Sequence, residues 1–306
     1  MCDPYGVTMA AVIDIAQDSG LWIRDSEIIS GVPGAAPAAH GRGALAVVRG
    51  FGGRSVVTRA YATSPLRLLM PKNHGSAAWV YTSSFGGGLV DGDRIALDVD
   101  VGPGAAAFLS TQASTKVYRS PRGTSTELHA RVRAGGLLAV MPDPIVCFAG
   151  SRYQQIQSFD LSADGGLVLV DWVSSGRHAS GERWAFHEYV ARLRARVDGG
   201  PVLHNALALR RDDGDLRERL GRFDVLAVVL ILGTRLRDRA AELAARVAAM
   251  GVVRRAAQLV SATPVGEGGC LVRVAGTSFE QTARMVREYL GFLPGLLGDD
   301  PWARKW

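Results

Sequence analysis

The sequence predicts a mostly β protein of many strands with two α-helices near its C-terminal end. Three observations carry that prediction. Residues 93–101 and 126–133 alternate apolar and polar side chains, the period of a half-buried strand. Residues 167–173 and 223–232 are nearly continuous apolar runs, as in strands buried on both faces. Turn signals separate such runs, among them Gly86-Gly-Gly88, Gly102-Pro-Gly104, Gly135-Gly136, Asp164-Gly-Gly166 and Asp198-Gly-Gly-Pro201.

Each element follows in order. Residues 1–42 read as a poorly ordered lead-in, closing on the loop-like Gly31-Val-Pro-Gly-Ala-Ala-Pro-Ala-Ala-His40. From Gly43 to Gly233 the signal is β nearly throughout. In 93–101, Ile95, Leu97, Val99 and Val101 share one face; in 126–133, Leu128, Ala130 and Val132 do. A first helix is expected after Thr234 as its cap, with Leu236, Ala240, Leu243 and Val247 as the apolar stripe and Gly251 at its C-terminal end. Residues 257–262 and 269–275 read as two further strands. A second helix opens on Ser278 and Gln281, buries Phe279, Ala283, Val286 and Leu290, and stops at Gly291 and Pro294.

Composition excludes several classes. The chain of 306 residues is 47% hydrophobic, enough for a sizeable core. No apolar run approaches the roughly 20 residues of a membrane helix. The first 30 residues lack a basic start and are interrupted by Asp3, Asp14 and Asp18, unlike a secretory signal. Cys2, Cys147 and Cys270 form no CxxC pair and no disulfide framework, so a cytoplasmic protein is expected. The formal charge of +6 rests almost wholly on scattered arginines, since only Lys72, Lys116 and Lys305 are lysines. That pattern fits an acidic protein partner better than a nucleic acid.

Catalytic signatures are missing: the sequence holds no phosphate-binding GxxxxGK[ST] loop, no GxSxG and no HExxH. Its six histidines never pair at helical or HxH spacing, so no tight metal cage is expected. Four stretches nevertheless stand out. Gly86-Gly-Gly-Leu-Val-Asp-Gly-Asp-Arg94 is a glycine-dense turn holding Asp91 and Asp93, and reads first as a turn. Ser110-Thr-Gln-Ala-Ser-Thr-Lys-Val-Tyr-Arg119 is a polar run that suits a wet channel, an interface or an exposed strand. Pro142-Asp-Pro-Ile-Val-Cys-Phe-Ala-Gly150 begins on a rigid turn. In Val170-Asp-Trp-Val-Ser-Ser-Gly-Arg-His-Ala-Ser-Gly-Glu-Arg-Trp184 a buried strand empties into a loop with Arg177, His178 and Glu182, just after Asp171.

Taken in order, these stretches resemble the UreD (UreH) family of urease accessory proteins, with its GGLVxGDRL, TTQxxTKVYRS, LPxPxxxFxGxRYxQ and GRxxxGExW patterns. The resemblance spans about residues 43–290. It departs where many members carry an acid before the LPxP segment and this chain has Ala139 and Val140. It implies one β-rich domain over 43–306, β-helix-like or barrel-like, and a non-catalytic scaffold. It further implies a complex with UreF, the GTPase UreG through UreF, and apo-urease, passing a transient nickel ion with no tightly bound cofactor. A conduit must release its cargo, which favours sparse carboxylates, hydroxyls and an occasional imidazole. On that basis Asp93, Thr115 and Glu182, then Asp171 and His178, are the expected passage residues. Lys116, Tyr118 and Arg119, and the helix-face Arg235, Arg239, Arg246 and Arg287, are the expected partner contacts. The rival reading is an enzyme with an acid pair such as Asp93 and Glu182 held about 5–10 Å apart over a small or sugar substrate.

Overall fold

A computed structural model describes residues 40–72, 74–177, 180–251 and 253–303. The expected lead-in therefore lies outside the described residues as far as residue 39, and so does His178. The first strand, β1 (His40–Arg49), begins three residues before the expected start at Gly43.

Seventeen strands form two sheets among the described residues. The first sheet runs β14-β13-β11-β8-β5-β1-β2. Its members are β2 (Ser55–Ala62), β5 (Arg94–Val101), β8 (Thr124–Val132), β11 (Arg152–Leu161), β13 (Glu188–Val197) and β14 (Gly200–Arg210), besides β1. The second runs β16-β17-β15-β12-β9-β6-β4-β3, with β3 (Leu66–Leu69), β4 (Ala78–Ser84), β6 (Ala106–Thr111), β9 (Leu137–Val140), β12 (Gly166–Ser174), β15 (Val225–Leu232), β16 (Gln258–Val265) and β17 (Gly269–Gly276). Both sheets are parallel at their centres and antiparallel at their ends.

The chain alternates between the sheets from β4 to β13, advancing one strand per circuit, which is the coil of a β-helix. At one end the circuits close through short stacked turns. Gly104 N–H donates to Ala134 O and Gly166 N–H to Gly136 O. Gly104 and Gly135 sit at φ +62° and +63°, a conformation open to glycine at little steric cost. At the other end the connections are longer and carry β7 (Thr115–Val117) and β10 (Ile145–Cys147), which pair with each other, while β10 also joins the end of β12.

Three cores result. The inward residues of both sheets, such as Leu97, Val99, Leu138 and Leu169, fill the space between them. The outer face of the second sheet is covered by α2 (Arg237–Ala248), α3 (Phe279–Tyr289) and the short α4 (Leu293–Leu297). A third cluster around Val117, Cys147, Tyr153, Trp184 and Phe186 plugs the end of the coil where β7 and β10 lie. There α1 (Leu216–Leu220) adds Leu216 and Leu220, a helix within the stretch expected to be β.

The face of α2 matches its periodicity, with Leu236, Ala240, Leu243 and Val247 all buried. On α3, by contrast, Val286 and Leu290 are buried but Phe279 and Ala283 only half-buried, and Thr282 and Tyr289 are buried with them. The ends differ. Thr234 opens a 3-10 turn rather than capping, and its hydroxyl donates to Ala163 O instead. Helix α2 ends at Ala248 with Ala249 as its C-cap, two residues before Gly251. Ser278 caps α3 as expected, accepting from Gln281 N–H. Pro294, expected to stop a helix, instead sits in the first turn of α4, where its missing N–H costs nothing.

Candidate functional site

The four singled-out stretches converge on the β7–β10 end of the coil. Leu89 N–H donates to Lys116 O at 2.8 Å and Tyr118 N–H returns to Leu89 O at 2.9 Å. Phe148 N–H reaches Val117 O at 2.9 Å, and Gly150 N–H reaches Ala185 O at 3.1 Å. Gly88 is needed for close approach: a Cβ there would stand 2.6 Å from Lys116 O. Phe148 is edge-on to Tyr118 at 5.2 Å, and the Arg177 guanidinium stacks 4.2 Å from its ring centre.

Beside this end, a cavity of about 280 Å³ opens between the sheets. At liquid density that volume corresponds to roughly nine waters. Hydroxyls of Ser83, Ser110, Thr111, Ser114 and Thr115 contribute to its wall, with an apolar side from Leu97, Leu109 and Leu128. It reaches the surface at Gln112 and Ala113, which are exposed.

A hydrogen-bonded chain crosses the cavity wall. Tyr153 Oη donates to Gln155 Oε1 at 3.1 Å, so the 2.6 Å contact between Thr126 Oγ1 and Tyr153 Oη has the threonine as donor. Gln155 Nε2 then donates to Asp171 Oδ1 at 2.9 Å. Asp171 is half-buried and among the residues that line the cavity. Burial pushes its pKa up to about 6, against the opposing pull of the Gln155 amide and the Trp172 N–H. Gln157, two residues along β11, is 6% exposed and its Oε1 has no partner among the described residues. An orphaned acceptor of this kind in the wall of a roomy, mainly apolar cavity is a place for water or a cation.

The expected passage residues divide. Thr115 and Asp171 line the cavity; Asp93 and Glu182 do not. Asp93 is buried in its turn, accepting from Val90 N–H at 2.9 Å. Its neighbour Asp91 pairs with Arg122. Glu182 accepts from Ala149 N–H and pairs with Arg177, whose hydrogen bond holds its carboxyl below the usual range. Asp93 and Glu182 are thus tied to separate partners, the first to a backbone N–H and the second to a backbone N–H and a guanidinium. Burial pushes the Cys147 thiol up to about 12, so it offers no thiolate at neutral pH. Among the described residues no group of three or more His, Cys, Asp or Glu is arranged to hold a metal ion.

Lys116 and Arg119 are exposed and Tyr118 is half-buried beside them. The helix-face arginines are tethered within the chain. Arg235 donates to Gly135 O, Arg239 to Glu242 and Arg246 to Glu288, while Arg287 lies 3.8 Å from Asp300. Thr126, Tyr153, Gln155 and Gln157 were not among the expected site residues. Their signal was present in β11, where Tyr153, Gln155 and Gln157 share the inward face with Phe159 and Leu161.

No helix among the described residues is long and apolar enough to cross a membrane. Residues 39–306 match the family described as UreD urease accessory protein. A urease accessory protein UreD of Sorangium cellulosum (strain So ce56) is 54% identical over 266 residues, 87% of this chain and 84% of that relative. One from Anaeromyxobacter sp. (strain Fw109-5) is 45% identical, covering 82% of this chain and 85% of its own length. Urease accessory protein D of Arabidopsis thaliana is 33% identical over 84% of this chain and 98% of its own length. The two-sheet coil, the four converging segments and these relatives agree: the chain belongs to the UreD urease accessory protein family.

Proposed function

We propose that this chain is a non-catalytic scaffold of urease maturation in the cytoplasm, which joins apo-urease to UreF and, through UreF, to the GTPase UreG. It offers a nickel ion a polar passage toward the urease active site. The observation that carries the reading is the cavity beside the converging segments, with hydroxyls, Gln155 and Gln157 in its wall and Asp171 as a half-buried carboxyl. Hard, sparse oxygen donors hold a borderline divalent ion weakly enough to release it.

In this reading the ion passes Thr115 and Asp171, while Gln155 keeps the carboxylate turned and Gln157 Oε1 meets the ion's hydration shell. Asp93 and Glu182 act one step back, by building the end at which the segments meet. Lys116, Tyr118 and Arg119 present that end to a partner. Arg235, Arg239, Arg246 and Arg287 form the helix face offered to UreF.

The test co-expresses apo-urease with UreF and UreG, with and without this chain, at limiting nickel. Urease activity and urease-bound nickel should both collapse without it and fall together in Asp171→Ala and Gln155→Leu. Full maturation without the chain would overturn the reading. Full maturation with both variants would remove the passage from it and leave the scaffold.

A further inference from the structure

The charge of the chain is divided. Residues 1–39 hold five carboxylates (Asp3, Asp14, Asp18, Asp25, Glu27) against Arg24 alone, a net −4, which leaves +10 for residues 40–306. Family similarity begins at residue 39, so the acidic segment is a feature of this chain outside the matched region.

The positive charge has a focus. The second sheet is covered by helices, but among the described residues no helix packs on the outer face of the first. On that face β13 places Arg192, Arg194 and Arg196 at alternate positions, about 7 Å apart. Arg194 and Arg196 are exposed and Arg192 half-buried. Opposite Arg192 stand Ile156 and Ala206, and opposite Arg194 stand Ser158 and His204, so neither faces a carboxylate across the ladder. Asp160 is in register with Arg196 but outside ion-pair distance. Elsewhere on the face Arg133 is neutralised by Asp100, and Arg152 and Arg210 by Glu188, while Arg131 stands in register with Asp100 and Asp160. His204 is held below the ordinary imidazole value, first by burial and then by Arg194 and Arg192, and adds no charge at neutral pH. No exposed aromatic interleaves the stripe, and Asp98 and Asp160 interrupt the face, which disfavours a polyanion such as nucleic acid.

Geometry joins the two. His40, where the described chain begins, is in register through Arg94, Ser125 and Gln154 with Val190 of β13. Four strand spacings and four residues along β13 put Arg194 roughly 23 Å from His40. Asp25 and Glu27 precede His40 by 15 and 13 residues. A random-coil chain of that length would have a root-mean-square span of roughly 20 Å. Effective concentration is highest when span and separation match.

We propose that the acidic segment around Asp14, Asp18, Asp25 and Glu27 docks in cis on the Arg192–Arg194–Arg196 stripe and occupies this face of the first sheet. An acidic partner surface would have to displace it.

The test is chymotryptic cleavage after Trp22 in the full chain, followed by mass spectrometry at about 20 mM and about 500 mM salt, with a free peptide of residues 14–30 correcting for the protease. The wild type should be cleaved at least about tenfold more slowly at low salt than at high salt. R192E/R194E/R196E and, independently, D14N/D18N/D25N/E27Q should lose that protection. D25R/E27R should lose it too, and adding R192E/R194E should restore it. Equal corrected rates at both salts, or no rescue by the charge swap, would overturn the proposal. So would a segment cleaved freely at low salt while apo-urease, DNA or anionic vesicles bind the wild type and not R192E/R194E/R196E, since the face would then serve another molecule.

Discussion

Gln155 of the first sheet and Asp171 of the second are joined by a 2.9 Å hydrogen bond across the space between the sheets, with the amide as donor. The bond links the carboxyl, through Tyr153, to Thr126. Replacing Gln155 by Leu leaves the Tyr153 hydroxyl and Asp171 without this partner. A cost of about 1–3 kcal/mol is expected from the unpaired groups. Urea denaturation at pH 7.5 checks it, with Gln155→Glu as the comparison; a variant as stable as the wild type would show the chain to be energetically idle.

Asp171 makes stability depend on pH. Its folded pKa of about 6 lies above the ordinary 3.8. The group's favourable contribution is therefore full below about pH 4 and lost as pH rises through 6. Asp171→Asn keeps the acceptor for Gln155 and removes the ionisation. It should be more stable than the wild type at pH 7.5 by roughly 2–3 kcal/mol, and this advantage should shrink toward pH 4.5. Denaturation midpoints of both proteins across pH 4.5–7.5 test the sign; an advantage that does not vary with pH would assign it to packing.

The end of the coil depends on close backbone contact at Gly88. Alanine there would push into Lys116 O and the Tyr118 ring, at 2.6 and 2.7 Å from its Cβ. Overpacking against backbone costs typically 1–3 kcal/mol, so Gly88→Ala should be destabilised by about that amount. Thermal unfolding reads the loss. Hydrogen exchange should rise first at Leu89 and Tyr118, whose amides pair across this contact.

Glu182 is held from two sides. Its carboxylate accepts from Ala149 N–H and is held by Arg177. Its lowered pKa means that its stabilisation is present above the ordinary 4.5 and is lost as pH falls through the depressed value. Glu182→Ala should cost roughly 1 kcal/mol at pH 7. Its effect on urease activation should follow loss of binding to the partner proteins, measured by pull-down. Intact binding with lost activation would instead place Glu182 in the passage.

Much of the architecture was legible in the chain. The alternation of 93–101 and 126–133 became β5 and β8, and the apolar runs of 167–173 and 223–232 became the buried β12 and β15. The apolar stripe of α2 and the Ser278 cap of α3 held because both are local, set by residues three or four apart. The helix ends were less legible. Thr234 has the chemistry of a cap, but its hydroxyl finds Ala163 O across the fold, a partner no local pattern reveals.

By itself the sequence determined that the chain is mostly β, which faces its clearest strands bury, and which family the four stretches resemble. Those properties rest on periods of two and 3.6 residues and on short motifs. Tertiary structure decided which strands pair, that the chain circles between two sheets, and that the four stretches meet. It also decided which polar residues matter at the cavity. The alternation of β11 puts Gln155 and Gln157 on the face of Phe159 and Leu161, but only the facing second sheet brings Asp171 within reach of Gln155. Asp93 and Glu182 looked no different from Asp171 along the chain, but the first two accept from backbone N–H groups away from the cavity and the third lies in its wall. The physical reason is that a strand's period fixes its two faces but not their neighbours, and a carboxylate's role depends on the neighbours it meets.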